Sequence, residues 1–198
     1  MEYSDFFQKE HILENERVRL EPLTQMHYDK LLPVALQEEL WEFTSVTVKN
    51  EDDFLKYFNQ ALSDKKQQDA YPFAIYDKQT NQYAGSTRYG SISFENKRVE
   101  IGWTWYHPSL QRSGLNKNCK FLLLSYAFDT LLLNRVELKT SLTNLKSQGA
   151  MLKIGAVKEG IMRRHMVNWN GTLRDSVFFS FIREEWQDIR QKHFAEFS

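Results

Sequence analysis

Between His107 and Lys120 the chain reads HPSLQRSGLNKNCK. Within it, Gln111-Arg112-Ser113-Gly114-Leu115-Asn116-Lys117 sets a single glycine among cations and polar side chains. An alternating strand pattern ends just before it, at Tyr106, and apolar residues at helical spacing begin at Leu115. The first amides of a helix have no partner inside it, and the helix dipole is positive at that end. A glycine there lets backbone approach a ligand closely. Such a start suits phosphate or pyrophosphate. The same residues would also serve as a plain helix entry that binds only water. The stretch is not a Walker loop, because no Gly-Lys-Ser/Thr follows, and it lacks the spaced glycines of a dinucleotide fingerprint.

Other polar residues stand where they could act. Arg98 to Tyr106 alternates, which groups Val99, Ile101, Trp103 and Trp105 on one face and Glu100, Gly102 and Thr104 on the other. Both tryptophans are therefore expected in the core. Asn144 stands at the expected cap of a short helix that stops at Gly155. His165 falls on the last hairpin, and Trp41 and Phe43 follow the first helix. The lone cysteine, Cys119, lies on a helix stripe with Leu115, Leu122, Leu123 and Tyr126, which speaks against a covalent cysteine intermediate.

The elements that must carry these residues are legible as patterns. A strand at Arg17–Glu21 leads to helices at about 25–37 and, behind the Asn50 cap, along Phe54, Tyr57, Phe58, Ala61 and Leu62. Strands are expected at 73–76, 83–89 and 98–106, then a long helix at about 115–132 and a strand at 135–142. After the Asn144 helix come strands at 157–167 and 173–181, joined through Asn170-Gly171, a hairpin signal. The tail at about 184–197 reads as helical. The order is β-α-α-β-β-β-α-β-α-β-β, a mixed α/β sheet of about seven strands flanked by helices. No linker or repeat divides the chain, so residues 1–198 are expected to form a single domain with its core at about 17–182.

Composition limits the partners. The 198 residues are 41% hydrophobic and 26% charged with a formal net charge of +0, so neither a basic field for nucleic acid nor an acidic tail is present. Apolar runs are too short for a membrane helix, and the N-terminus lacks the apolar stretch of a secretory signal, so a cytoplasmic location is expected. One cysteine and five scattered histidines suggest no metal site. Oligomeric state is open, monomer or homodimer.

Taken jointly, Glu100-Ile101-Gly102-Trp103-Thr104-Trp105, the Gln111–Lys117 loop with its helix, Asn144-Leu145-Lys146-Ser147 and Lys153-Ile154-Gly155-Ala156 resemble the GNAT superfamily of N-acetyltransferases. Within it the chain is most similar to the branch that includes the ribosomal-protein N-terminal acetyltransferases. The superfamily loop reads Gln/Arg-x-x-Gly-x-Gly/Ala; here Asn116 replaces the last small residue. The resemblance implies acetyl-CoA as acyl donor, an amine as acceptor and direct transfer between them. It implies that Trp103, Thr104 and Trp105 offer backbone to the pantetheine arm, that Gln111, Arg112, Ser113, Gly114, Leu115, Asn116 and Lys117 wrap the pyrophosphate, and that Asn144 bonds the arm. Many relatives place a proton-donating tyrosine where this chain has Met151; the nearer branch uses the serine of Asn-x-x-Ser, here Ser147. Glu100 stands where histone-type relatives carry a glutamate base. The alternative is a non-catalytic acyl-CoA-binding or regulatory protein on the same fold, which the absent tyrosine would favour.

Overall fold

The computed structural model describes residues 3–197. Eight strands form one sheet: β1 (Leu13–Glu14), β2 (Val18–Pro22), β3 (Tyr71–Asp77), β4 (Gln82–Ser93), β5 (Arg98–Tyr106), β6 (Arg135–Ser141), β7 (Val157–Val167) and β8 (Leu173–Ile182). Their order is β1-β2-β3-β4-β5-β6-β8-β7. Neighbours are antiparallel except β5 and β6, which run parallel. The expected mixed sheet is present with eight strands rather than about seven. The extra strand, β1, is only two residues long and too short to show a period.

Five α-helices flank the sheet: α1 (Tyr28–Ala35), α2 (Glu51–Lys66), α3 (Leu115–Ser125), α4 (Leu145–Lys153) and α5 (Trp186–His193). On one face α3, α4 and α5 contribute to a core with Val99, Ile101, Leu123, Phe179, Trp186 and Phe194. On the other, α1 and α2 bury Leu31, Trp41, Phe54, Phe58 and Trp105. Asn50 caps α2 as expected, its Oδ1 accepting the Asp53 amide at 2.9 Å. The long helix expected at 115–132 ends its regular turns at Ser125 and continues as a π-helical segment over Tyr126–Thr130. The tail is helical in pieces, with α5 between short 3-10 turns. In the last hairpin the Asn168 amide donates to Thr172 O at 2.9 Å, and Gly171 takes φ +80, which closes a three-residue loop.

The central strand, β5, departs from simple alternation. Gly102 pairs with Arg88 and Trp105 with Ser86, so Trp103 and Thr104 together oppose Thr87. This is a β-bulge, and Trp103 sits at φ +49 within it. One extra residue turns every later side chain to the opposite face. Val99 and Ile101 therefore enter the α3-side core, whereas Trp105 enters the α1–α2 core. Trp103, expected in the core, is instead 41% exposed. Its ring lies over Gly90, where an added Cβ would come within 2.3 Å of it.

Gly90→Ala should push the Trp103 indole off the sheet. Stability should fall by about 1 kcal/mol, the low end for overpacking, because a half-exposed ring can swing away. Urea denaturation measures the loss, and tryptophan emission should shift toward that of a solvated indole. Unchanged emission would mean that the ring does not rest on Gly90.

Candidate active site

Strands β5 and β6 pair only at Arg98–Arg135, Val99–Val136 and Glu100–Glu137. Beyond Glu100 they part. The far halves of both strands face each other across a gap, with no ladder between them. On its other side β6 stays paired to β8 throughout. The bulge at Trp103 and Thr104 lies in the parted half of β5. The gap thus has free strand backbone on its walls.

At its mouth is the helix start singled out from the sequence. Gly114 is the N-cap of α3 at φ +87, with nothing within 4 Å of the place a Cβ would take. Only glycine holds that backbone without strain. Arg112 is also left-handed, at φ +64. Ser113 is tied inward, its hydroxyl donating to Leu110 O at 2.7 Å. The first main-chain bond of α3 runs from Asn118 to Gly114 O at 3.1 Å. Among the described residues the amides of Gly114, Asn116 and Lys117 have no protein acceptor. Gln111, Arg112 and Ser113 are exposed, while Leu115 is buried and anchors the helix. Asn116, the departure from the family loop, points inward and accepts from the Tyr106 hydroxyl at 2.6 Å. Lys117 pairs with Glu196 of the tail. The carboxyl of Glu196 is thereby held below its ordinary value, through that hydrogen bond first.

The sheet face opposite α3 carries a charged cluster. Glu100 is buried, and its Oε2 accepts from Lys139 Nζ at 2.8 Å and from Ser91 at 3.3 Å. Arg98, two residues before Glu100 on the same strand, pairs with Glu137 at 3.4 Å. Gly102 leaves room for the second carboxylate oxygen, since an added Cβ would meet Glu100 Oε1 at 2.9 Å. Trp103 stands beside this group, with Lys139 Nζ 5.7 Å and the Arg88 guanidinium 5.4 Å from its ring. Arg174, 9% exposed, donates to Phe43 O at 3.2 Å and so ties the α1–α2 loop to β8. His165 bonds Ser176 at 3.1 Å. Its imidazole is held below its usual value by burial first and then by Lys139 and Arg174, with Glu100 opposing. Trp41 is buried core whose indole donates to Ala35 O at 2.8 Å, yet it also lines a cleft of about 530 Å³ between that loop and the β7–β8 tip, with Glu38, Glu42 and Trp169.

Across the gap, Asn144 caps α4, its Oδ1 accepting the Ser147 amide at 3.0 Å. Ser147 is half-buried in the first turn. Met151 packs against the α3-side core. Burial pushes the Cys119 thiol up to about 12, which leaves it protonated and poorly nucleophilic. Lys139, Arg174 and Lys120 were not singled out from the sequence. Lys120 had a readable signal: it shares a helical face with Leu123, Leu124 and Ala127, an apolar stripe headed by a cation.

The arrangement has relatives. The chain is 23% identical over 176 residues to the "Uncharacterized N-acetyltransferase YoaA" of Bacillus subtilis, covering 87% of this chain and 97% of that protein. It is 33% identical over 92 residues to the "Putative ribosomal N-acetyltransferase YdaF" of the same organism, covering 46% of this chain and 49% of that one. The crystal structure of a GCN5-related N-acetyltransferase from Brucella melitensis superposes with a TM-score of 0.86 at 31% identity, covering 94% of this chain and 85% of that one. Residues 17–157, well over half the chain, match the acetyltransferase (GNAT) domain family. The chain therefore belongs to the GNAT family of N-acetyltransferases.

Proposed function

We propose that this protein moves an acetyl group directly from acetyl-CoA to an amine, either a protein N-terminus or a small-molecule amine. The observation that carries the reading is the opening between β5 and β6 that ends at the free amides of α3. An extended pantetheine arm can pair with the bare strand backbone, as a missing strand would. Its pyrophosphate then meets the amides of Gly114, Asn116 and Lys117 at the positive end of the helix dipole. Gln111, Arg112 and Ser113 complete the wrap. Residues Trp103, Thr104 and Trp105 offer main-chain groups at the bulge, where one amide can polarise the thioester carbonyl. The spare amide of Asn144 and the hydroxyl of Ser147 reach the arm and the sulfur from the β6 side.

The acceptor enters from the opposite face, by the cleft between the α1–α2 loop and the β7–β8 tip. An amine attacks only as the free base, so its proton must be taken up. Glu100 is the group for this. Lys139 and Ser91 fix one carboxylate oxygen, while the other, beside Gly102, has no protein donor among the described residues. A neutral His165 stands nearby as a second acceptor of protons. Screening acetyl-CoA turnover against peptide N-termini, amino acids and polyamines would identify the acceptor and separate transfer from CoA binding alone.

Gly114→Asp puts a carboxylate where the phosphates would lie and strains the left-handed cap. CoA affinity by calorimetry should fall tenfold or more, about 1.4 kcal/mol. Unchanged affinity in a folded variant would move the cofactor elsewhere. Glu100→Gln keeps the size of the side chain but cannot take a proton. Turnover at neutral pH should fall roughly 10²-fold with CoA affinity nearly intact. A variant with the full rate and an unshifted acidic limb would make Glu100 structural.

A further inference from the structure

One buried charge has no partner that explains it. Lys120 points inward from α3 and is 6% exposed. Among the described residues its ammonium forms no ion pair, and its one hydrogen bond is to the Thr104 hydroxyl at 3.3 Å, which is long. Thr104 in turn shares a 2.7 Å bond with Thr87. A buried ammonium with three donors and a single weak acceptor is costly. Thr104 belongs to the bulge, so the charge sits at the wall of the gap where β5 leaves β6. We propose that Lys120 is the acid that gives a proton to the departing sulfur of CoA. The inference rests on the acetyl-CoA reading above and deepens it.

The chemistry balances. The acceptor nitrogen bonds to the acetyl carbon, the carbon–sulfur bond breaks, and its electron pair goes to sulfur. Sulfur takes a proton from Lys120 Nζ, leaving a neutral amine there. The proton lost by the acceptor nitrogen passes through Glu100 to solvent, and Lys120 regains one from solvent as products leave. An alcohol such as Ser147 can hydrogen-bond the sulfur but is a far weaker acid. Met151 cannot donate at all. An ammonium whose natural counter-ion is a transient thiolate accounts for a charge that is otherwise unpaired.

The titratable groups that act on Lys120 are Cys119 on its own helix and, through the sheet, Glu100 of β5, which Lys139 pairs on the far face; Tyr106 of β5 acts on Cys119. Asp77, at the end of β3, acts on Cys119. Burial lowers the Lys120 ammonium to about 8, with Cys119 and Glu100 opposing. The donor form is thus present at neutral pH and is lost as pH rises through about 8. That places it near the range of a thiol, where an acid matches its leaving group.

The test uses the full chain and Lys120→Met, with CoA itself as probe. Calorimetry gives affinity, and ultraviolet absorbance of the bound thiolate gives its ionisation across pH. The wild type should bind CoA with its thiol ionised at lower pH than in free CoA. Lys120→Met should bind within about threefold as tightly but lose that shift. With an accepted amine, its turnover should fall roughly 10²-fold and lose the alkaline limb. A bound thiol that titrates in the wild type as it does in free CoA overturns the assignment without any variant. So does a Lys120→Met enzyme with full rate and the same alkaline limb. If the wild type does not bind CoA, the acetyl-CoA reading itself falls and this inference with it.

Discussion

The three residue pairs shared by β5 and β6 are the constraint on which the site depends. Parallel neighbours cannot be joined by a tight turn, so the chain must cross over, and α3 is that crossover. Its N-terminus consequently lies beside the carboxyl end of β5, at the point where the two strands separate. The bare backbone, the unpaired helix amides and the bulge are consequences of one piece of connectivity. The long ladder between β6 and β8 keeps the far wall in place, and the two cores hold β5 from both faces.

Charge is distributed unevenly around that opening. The face toward α1 and α2 holds Glu100 with Lys139, Arg88 with Asp64, and Arg174 near His165. The face toward α3 carries Lys120 with Thr104 and Thr87, and the hydrogen bond from Tyr106 to Asn116. Such ionised groups are tolerated because the surrounding framework is closely packed: Tyr89, Phe179, Phe181 and Trp186 are almost wholly buried. A well-ordered core offsets polar burial that a looser one would relieve by local opening.

Much of this was legible beforehand, and the failures have physical causes. Asn50, Gly114 and Asn170-Gly171 could be read because each satisfies a local backbone demand that few residue types meet. Glu100 could be placed on its face because the alternation up to Gly102 is regular. Trp103 could not, since a bulge is a matter of register with β4 and leaves no mark in the hydrophobic pattern of β5. The short β1 was lost for want of length. The π-helical segment after Ser125 was lost because its side chains continue the apolar stripe. Lys139 and Arg174 read as ordinary outward charges on strands, and only the pairing of β6 with β5 and β8 brings them to Glu100. Asn144 shows the limit of a motif: its cap role is visible in the fold, and its spare amide is compatible with a ligand.

The bulge also lets β5 carry one residue more than its two cores require. Val99 and Trp105 serve different cores only because an odd number of turns of the pleat, plus one added residue, separates them. Conservative exchanges on either side would leave this phase intact. Loss of a single residue at Trp103 or Thr104 would leave Trp105 and Tyr106 opposite the same β4 residues and on the same faces, and would remove only the doubled position against Thr87. A chain shortened there would keep both cores and lose the irregular backbone that β5 presents to the gap.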